Sequence, residues 1–279
     1  MEGGRTVVIL AASADIGSAM AGYYADEGHE VIGTFRGRAG VQALEGRANV
    51  TLLPCDVASR DSVRELAVAY AALDKPWDIF VSAVGALEPI GRWDTLDFDA
   101  WEQSVAVNST AQLRVLHALY PSRRPAAPVH AAFFAGGGTN NPFTNYSAYC
   151  VSKILLMKMC ELLDDELPDL NAFIVGPGFL PTKIHAPTFA NPDAAGENYA
   201  KTVDFHSEQA RAATCRDIYD CVNWCVAQGR DVVGGRNIAA VHDPWRSDGE
   251  WLAAQLRRDG NRFKLRRAGN IGTPAGVTR

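Results

Sequence analysis

Apolar positions along the chain gather into short continuous runs separated by segments of helical periodicity. Val7–Ala11, Val31–Phe35, Val50–Pro54, Ile79–Val84, Val129–Ala135 and Asn171–Val175 are such runs. Runs of this length without polar alternation predict strands buried on both faces. Between them, Ser18–Glu27 (ending at Gly28), Asp61–Leu73 (with Asp61 as its cap), a long segment through Trp101–Leu119 and Ser147–Leu167 carry the helical spacing. Strand and helix therefore alternate. The pattern predicts an α/β fold, a doubly wound parallel sheet with helices on both faces and right-handed crossovers. Past the sixth strand the rhythm breaks over Lys183–Thr214, where Pro187, Pro192 and Gly196 interrupt it. A loop of that length inside a compact domain is usually functional, so 183–216 is expected to be a substrate lid. A helix over Asp217–Gln228 and a last strand over Asn237–Val241 follow, then a C-terminal extension, 246–279, with Arg257-Arg258 and Arg266-Arg267. No repeat or linker divides residues 1–279, and one domain is expected.

Composition narrows the function classes. With 47% apolar residues among 279, the chain can bury a sizeable core, and a formal charge of −5 argues against nucleic acid as its main partner. The apolar runs are far too short to span a membrane, so no membrane partner is expected. Met1–Arg5 leads directly into a strand without the pattern of a signal peptide, which predicts a cytoplasmic protein. The cysteines, Cys55, Cys150, Cys160, Cys215, Cys221 and Cys225, form no Cys-x-x-Cys and no zinc spacing with His, so no metal site is expected. Cys221 and Cys225 share one face of an apolar helix and are expected in the core.

The first strand runs through Ala12-Ser13-Ala14-Asp15-Ile16-Gly17 into a helix. Free N–H groups and the helix dipole at such a corner suit a pyrophosphate, and the small side chains at Ala11, Ala12, Ser13 and Ala14 let backbone approach closely. The corner is what a Rossmann-type fold uses, although of its glycines only Gly17 is in place. Arg36 follows the second strand where a carboxylate would bond a ribose 2′-hydroxyl; a guanidinium there pairs with a 2′-phosphate. NADP(H) is therefore favoured over NAD(H). Asp56 and Val57 follow the third strand, with Asp56 placed to meet an adenine edge or to cap the local turn.

Tyr149 and Lys153 are one helical turn apart in Tyr146-Ser-Ala-Tyr149-Cys-Val-Ser-Lys153, so they share a helix face. An ammonium near a phenol favours the phenolate and makes the tyrosine a better proton donor or acceptor. The spacing recurs by chance in many chains, and its weight here comes from the order of the segments around it.

Taken in order, residues 6–182 resemble the short-chain dehydrogenase/reductase family, and 217–245 do so more faintly. Ala11–Gly17 is similar to its glycine-rich turn, with Ala11 and Asp15 in place of two glycines, and Cys55-Asp56-Val57 resembles its adenine-contacting segment. Ser82-Ala83-Val84-Gly85 stands where the family has Asn-Asn-Ala-Gly. Val107-Asn108 resembles its active-site Asn, Tyr149–Lys153 its catalytic pair, and Pro177-Gly178-Phe179-Leu180-Pro181-Thr182 its Pro-Gly segment. The resemblance implies an NADP(H)-dependent oxidoreductase acting on a ketone or secondary alcohol. It implies cofactor contacts at Ala11, Ser13, Asp15, Ile16, Gly17, Arg36, Asp56, Val57, Ala83, Gly85, Tyr149, Lys153, Pro177, Gly178, Phe179 and Thr182. Tyr149 would transfer the proton, Lys153 would lower its pKa and hold the nicotinamide ribose, and Asn108 would hold a water linking Lys153 to solvent. A homodimer or homotetramer through the helices bearing Asn108 and Tyr149 is also implied.

One position departs from the family. A Ser is expected thirteen residues before the tyrosine, and Gly136 stands there, within Gly136-Gly137-Gly138-Thr139-Asn140. A lost donor to a developing oxyanion costs about 10²–10³-fold in rate. Thr139, our first candidate, or Asn140 or Thr144 could replace it, as could a hydroxyl or phosphate of the substrate. The glycines themselves read either as backbone donors or as a flexible loop. Two other functions stay open beside the oxidoreductase: an isomerase or dehydratase using Tyr149 and Lys153, and a non-catalytic NADP-binding sensor. Substrate contacts are expected from Leu87–Trp93, Gly136–Tyr146 and Lys183–Phe205, with Trp93, Phe143, His185 and Phe189 making the small-molecule pocket partly aromatic.

Overall fold

Seven strands pair side by side, all parallel, in the computed structural model, which describes residues 4–207 and 213–267. They are β1 (Thr6–Leu10), β2 (Glu30–Phe35), β3 (Val50–Pro54), β4 (Ile79–Ser82), β5 (Val129–Phe134), β6 (Leu170–Gly176) and β7 (Asn237–Ala239), in the order β3-β2-β1-β4-β5-β6-β7. Val8 pairs with Ile32 on one side and Phe80 on the other. The chain winds outward from β1 in one direction, then crosses back to β4 and winds the other way. The reversal leaves a crevice beyond the carboxyl ends of β1 and β4, where doubly wound sheets bind their ligands.

Both sheet faces are covered, as the unbroken apolar runs require. Val7 and Ile9 of β1 pack with Met20 and Tyr24 of α1 (Asp15–Asp26) and with Ile218 and Val222 farther along the chain. Val8 and Leu10 face the other side, with Val63 and Leu66 of α2 (Arg60–Ala71) and with Val115 and Leu156. Each such buried side chain contributes roughly 1.5–3 kcal/mol. Cys221 and Cys225 are fully buried in the first of these layers.

The long helix expected through Trp101–Leu119 is two helices, α3 (Phe98–Asn108) and α4 (Thr110–Leu119). Ser109 separates them with φ −138° and ψ −84°, and its hydroxyl bonds the Val105 carbonyl at 2.5 Å. A serine bonding back to its own helix competes with the ladder there. The cap of α2 is Ser59, which accepts from Ser62 N–H, rather than Asp61, which lies in the first turn paired with Arg64. Between β5 and β6, α5 covers Ser147–Glu166.

Lys183–Ser207 is not the structureless loop that its prolines suggested. It holds a short turn at Lys183–His185, then α6 (Ala186–Ala190), α7 (Pro192–Ala195) and α8 (Glu197–Ser207). Pro192 opens α7 at a position where its missing N–H costs nothing, and Gly196 ends it at φ +58°. Residues 208–212 of the expected lid lie outside the described residues. After α9 (Cys215–Gln228), α10 (Arg230–Val233) and β7, the C-terminal extension adds α11 (Gly249–Arg258) and packs back on the sheet; residues 268–279 lie outside the described residues. Arg236, 5% exposed, fastens it by donating to the carbonyls of Leu256, Asp259 and Arg262.

Arg236→Met would leave those three carbonyls without their charged donor. It is expected to lower unfolding stability by about 2–3 kcal/mol in urea titrations, since hydrogen bonds to charged groups are each worth about 1.5–3 kcal/mol.

Candidate active site

The site is assembled where the strand ends run out of room. Ala11 ends β1 at φ +63°, a left-handed conformation that glycine adopts more readily than alanine. Its carbonyl would lie 2.2 Å from any Cβ placed on Gly17, so α1 can start this close to the sheet only without a side chain there. Ala11, Ala12 and Ala14 spend their N–H groups on Thr34 Oγ1, the Thr34 carbonyl and the Ala11 carbonyl. The first-turn N–H groups of α1 beyond them have no acceptor within the helix and are available to a ligand.

Beside this turn lies a cavity of about 640 Å³. The nucleotide turn contributes Ala14, Asp15 and Ile16 to its wall, and the β4 end contributes Ala83 and Gly85. Tyr149 and Lys153 line it from α5, and Pro177, Gly178, Phe179 and Thr182 from the segment after β6. All three loops expected around a substrate reach it, through Leu87, through Gly136, Thr139, Asn140 and Phe143, and through Lys183, His185 and Thr202. Ala11, Ser13, Gly17, Arg36, Asp56 and Val57, also named from sequence, are not among the residues that line it. Trp93 and Phe189, 61% and 39% exposed, are not part of the wall, which corrects half of the aromatic set named from sequence.

Tyr149 and Lys153 are 8% and 3% exposed. Lys153 Nζ sits 5.6 Å from the Tyr149 ring centroid and donates to the Val84 carbonyl at 3.3 Å. Burial pushes the Lys153 ammonium down to about 8 and the Tyr149 phenol upward. Burial thus raises the phenol, where the four-residue spacing suggested a lowering. The phenol is protonated at neutral pH, and the ammonium beside it loses its proton within reach of physiological pH.

Behind Lys153 is a buried polar network that sequence reasoning missed. Gln112 Nε2 donates to the Asn108 carbonyl at 2.7 Å and to the Val84 carbonyl at 3.4 Å, while Ser82 Oγ donates to Gln112 Oε1 at 2.6 Å. Asn108 holds the β4 loop from both sides, accepting from Ala86 N–H and donating to the Ala86 carbonyl, each at 2.9 Å. Its amide also reaches the Ser104 carbonyl at 3.0 Å. Asn108 therefore clamps backbone through its side chain, and its own carbonyl accepts from Gln112. The signal in the sequence was a polar residue, Gln112, four positions past Asn108.

The missing serine has a steric explanation. A Cβ on Gly136 would stand 2.4 Å from the Tyr149 phenolic oxygen, so the phenol fills the space of a side chain at 136. Gly138, at φ +90°, is similarly pressed against Cys150 Sγ, 2.4 Å from a notional Cβ. The Thr139 hydroxyl donates to the Gly136 carbonyl at 3.0 Å, so its proton is already committed. Thr144 is absent from the wall, whereas Asn140 is in it. Asn237 and His242 close the far side; the buried Asn237 Oδ1 has no partner among the described residues.

Comparison with known proteins agrees with this architecture. Residues 10–240 match the family described as enoyl-(acyl carrier protein) reductase. The NADPH-dependent pterin aldehyde reductase of Arabidopsis thaliana is 25% identical over 192 residues, covering 67% of this chain and 79% of that protein. The NADP-dependent 3-hydroxy acid dehydrogenase of Salmonella typhi is 24% identical over 227 residues, covering 78% and 87%. Among solved structures, a short-chain dehydrogenase/reductase of Saccharomyces cerevisiae superposes with a TM-score of 0.77 at 20% identity, covering 88% of this chain and 99% of that one.

The Gly136–Tyr149 contact is testable without any ligand. Gly136→Ala should destabilise the protein by about 1–3 kcal/mol, as overpacking does, and should cost little in a Tyr149→Ala background where the phenol is gone. Urea unfolding of the four proteins of the cycle measures the coupling, and equal costs in both backgrounds would show that the two residues do not compete for space.

Proposed function

Because the chain belongs to the short-chain dehydrogenase/reductase family of oxidoreductases, we propose that it is an NADP(H)-dependent enzyme interconverting a ketone and a secondary alcohol. The observation that carries this reading is the burial of Tyr149 and Lys153 side by side in one wall of a cavity whose adjoining wall is the nucleotide turn. A bound nicotinamide supplies the hydride in reduction and takes it up in oxidation. The residues present fit such a cofactor: free N–H groups at the start of α1 and the Gly17 close approach suit the pyrophosphate, and Thr182 lies in the same wall. Arg36, exposed just past β2, suits a 2′-phosphate, and the two curated relatives carry NADP or NADPH in their names.

In reduction Tyr149 donates its phenolic proton to the carbonyl oxygen. The phenol's raised proton affinity suits it to hold that proton until the oxygen becomes basic. Lys153 then compensates the phenolate from across the ring. Gln112 and Asn108 fix the Val84 and Ala86 backbone on which Lys153 rests. With Gly136 bare, Thr139 committed and Thr144 outside the wall, Asn140 is the remaining one of the donors named from sequence that could reach the substrate oxygen. The apolar surroundings, Leu87, Phe143 and Ile184, suit an uncharged organic substrate. The same reading makes the protein a cytoplasmic homodimer or homotetramer, in which the exposed Val151 and Leu162 of α5 would be covered.

NADPH oxidation monitored against a panel of aldehydes and ketones tests the reading. Tyr149→Phe should lower turnover by about 10²–10⁴-fold, the usual worth of a positioned acid; a variant as fast as wild type would remove Tyr149 from the chemistry. The pH profile follows from Lys153. Its charge is present below about 8 and lost above, so reductive kcat/KM should fall as pH rises through about 8. In Lys153→Met the whole profile should be lower and lack that step.

A further inference from the structure

The nucleotide turn contains a charge pair that hydride and proton transfer do not use. Asp15, the first residue of α1, accepts the Lys183 backbone N–H at 2.7 Å. The Lys183 ammonium lies 3.4 Å from Asp15 Oδ1 and donates to the Ser13 carbonyl at 2.7 Å. Lys183 is the first residue after Thr182, so this bridge ties the start of the 183–207 helices to the turn after β1. Both side chains line the cavity.

The position of the carboxylate gives it meaning. It occupies the positive end of the α1 dipole, next to N–H groups without intrahelical partners, the surroundings that favour a phosphate. Asp15 and Lys183 are 38% and 60% exposed, and an ion pair so open to water is weak and readily exchanged.

We propose that Asp15 is a built-in stand-in for the cofactor pyrophosphate, holding Lys183 across the turn in the free enzyme and yielding it to the phosphates on binding. Lys183 is then a cofactor-binding residue, and Asp15 is a competitor that lowers cofactor affinity. The inference rests on the cofactor reading given above. It predicts opposite signs for two changes that break the same bridge. If the bridge served only to hold the 183–207 segment, both changes would move binding in the same direction.

The test is NADPH affinity, by fluorescence titration, for wild type, Asp15→Asn, Lys183→Met and the double variant. Asparagine keeps an acceptor for the Lys183 N–H while removing the charge. Asp15→Asn should tighten binding about 3–10-fold and Lys183→Met should weaken it by a similar factor, the scale of an exposed charge at a helix end. The salt dependence of binding should be shallower in Lys183→Met. Hydrogen exchange of residues 183–207 without nucleotide should quicken in both single variants. Affinities that shift in the same direction, or not at all, would overturn the stand-in. If no protein of the set binds NADPH while exchange still responds, the cofactor reading itself has failed and the bridge is structural.

Discussion

Crowding at the carboxyl ends of the strands is the constraint on which the site depends. A parallel sheet covered on both faces has no free face along its length for chemistry, so ligands bind at the carboxyl ends of the strands. At two of these corners a single carbon atom decides the geometry. Gly17 lets α1 begin against the Ala11 carbonyl, which keeps its first N–H groups turned to the crevice. Gly136 lets the Tyr149 phenol press on the β5 end, where a serine side chain would otherwise stand. The cavity is the space left between these two contacts.

The electrostatics follow from that packing. Lys153 is nearly inaccessible and has one carbonyl acceptor, so burial brings its proton loss near neutrality. The Ser82–Gln112–Asn108 network behind it is satisfied by backbone, which fixes the carbonyl that Lys153 uses. A buried network of this kind is stabilising only when its members are all paired. The split between α3 and α4 at Ser109 belongs to the same arrangement, since it lets Asn108 and Gln112 turn toward the β4 end.

The sheet was legible in the sequence because apolar runs report burial directly. All seven strands were placed within a residue or two, with β3 at Val50–Pro54 as expected. Helix ends were less legible: Ser59 and Asp61 are both good caps, and only the hydrogen bond to Ser62 chooses between them. The helices of 183–207 were hidden by their prolines, which start short helices as readily as they break long ones. In the site, Tyr149, Lys153, Gly136 and the Thr182 segment could be named from spacing. Gln112, Asn237 and His242 could not, because the fold rather than a spacing along the chain brings them to the site.

The central claim is that Tyr149 and the nucleotide crevice together reduce a carbonyl without a serine at 136. Incubation with NADPH deuterated at the transferring face of C4 and a ketone substrate tests it most directly. The account predicts one deuterium on the carbinol carbon of the product, with one cofactor oxidised per alcohol formed. Product formed without deuterium and without cofactor oxidation would contradict it and point to proton transfer alone.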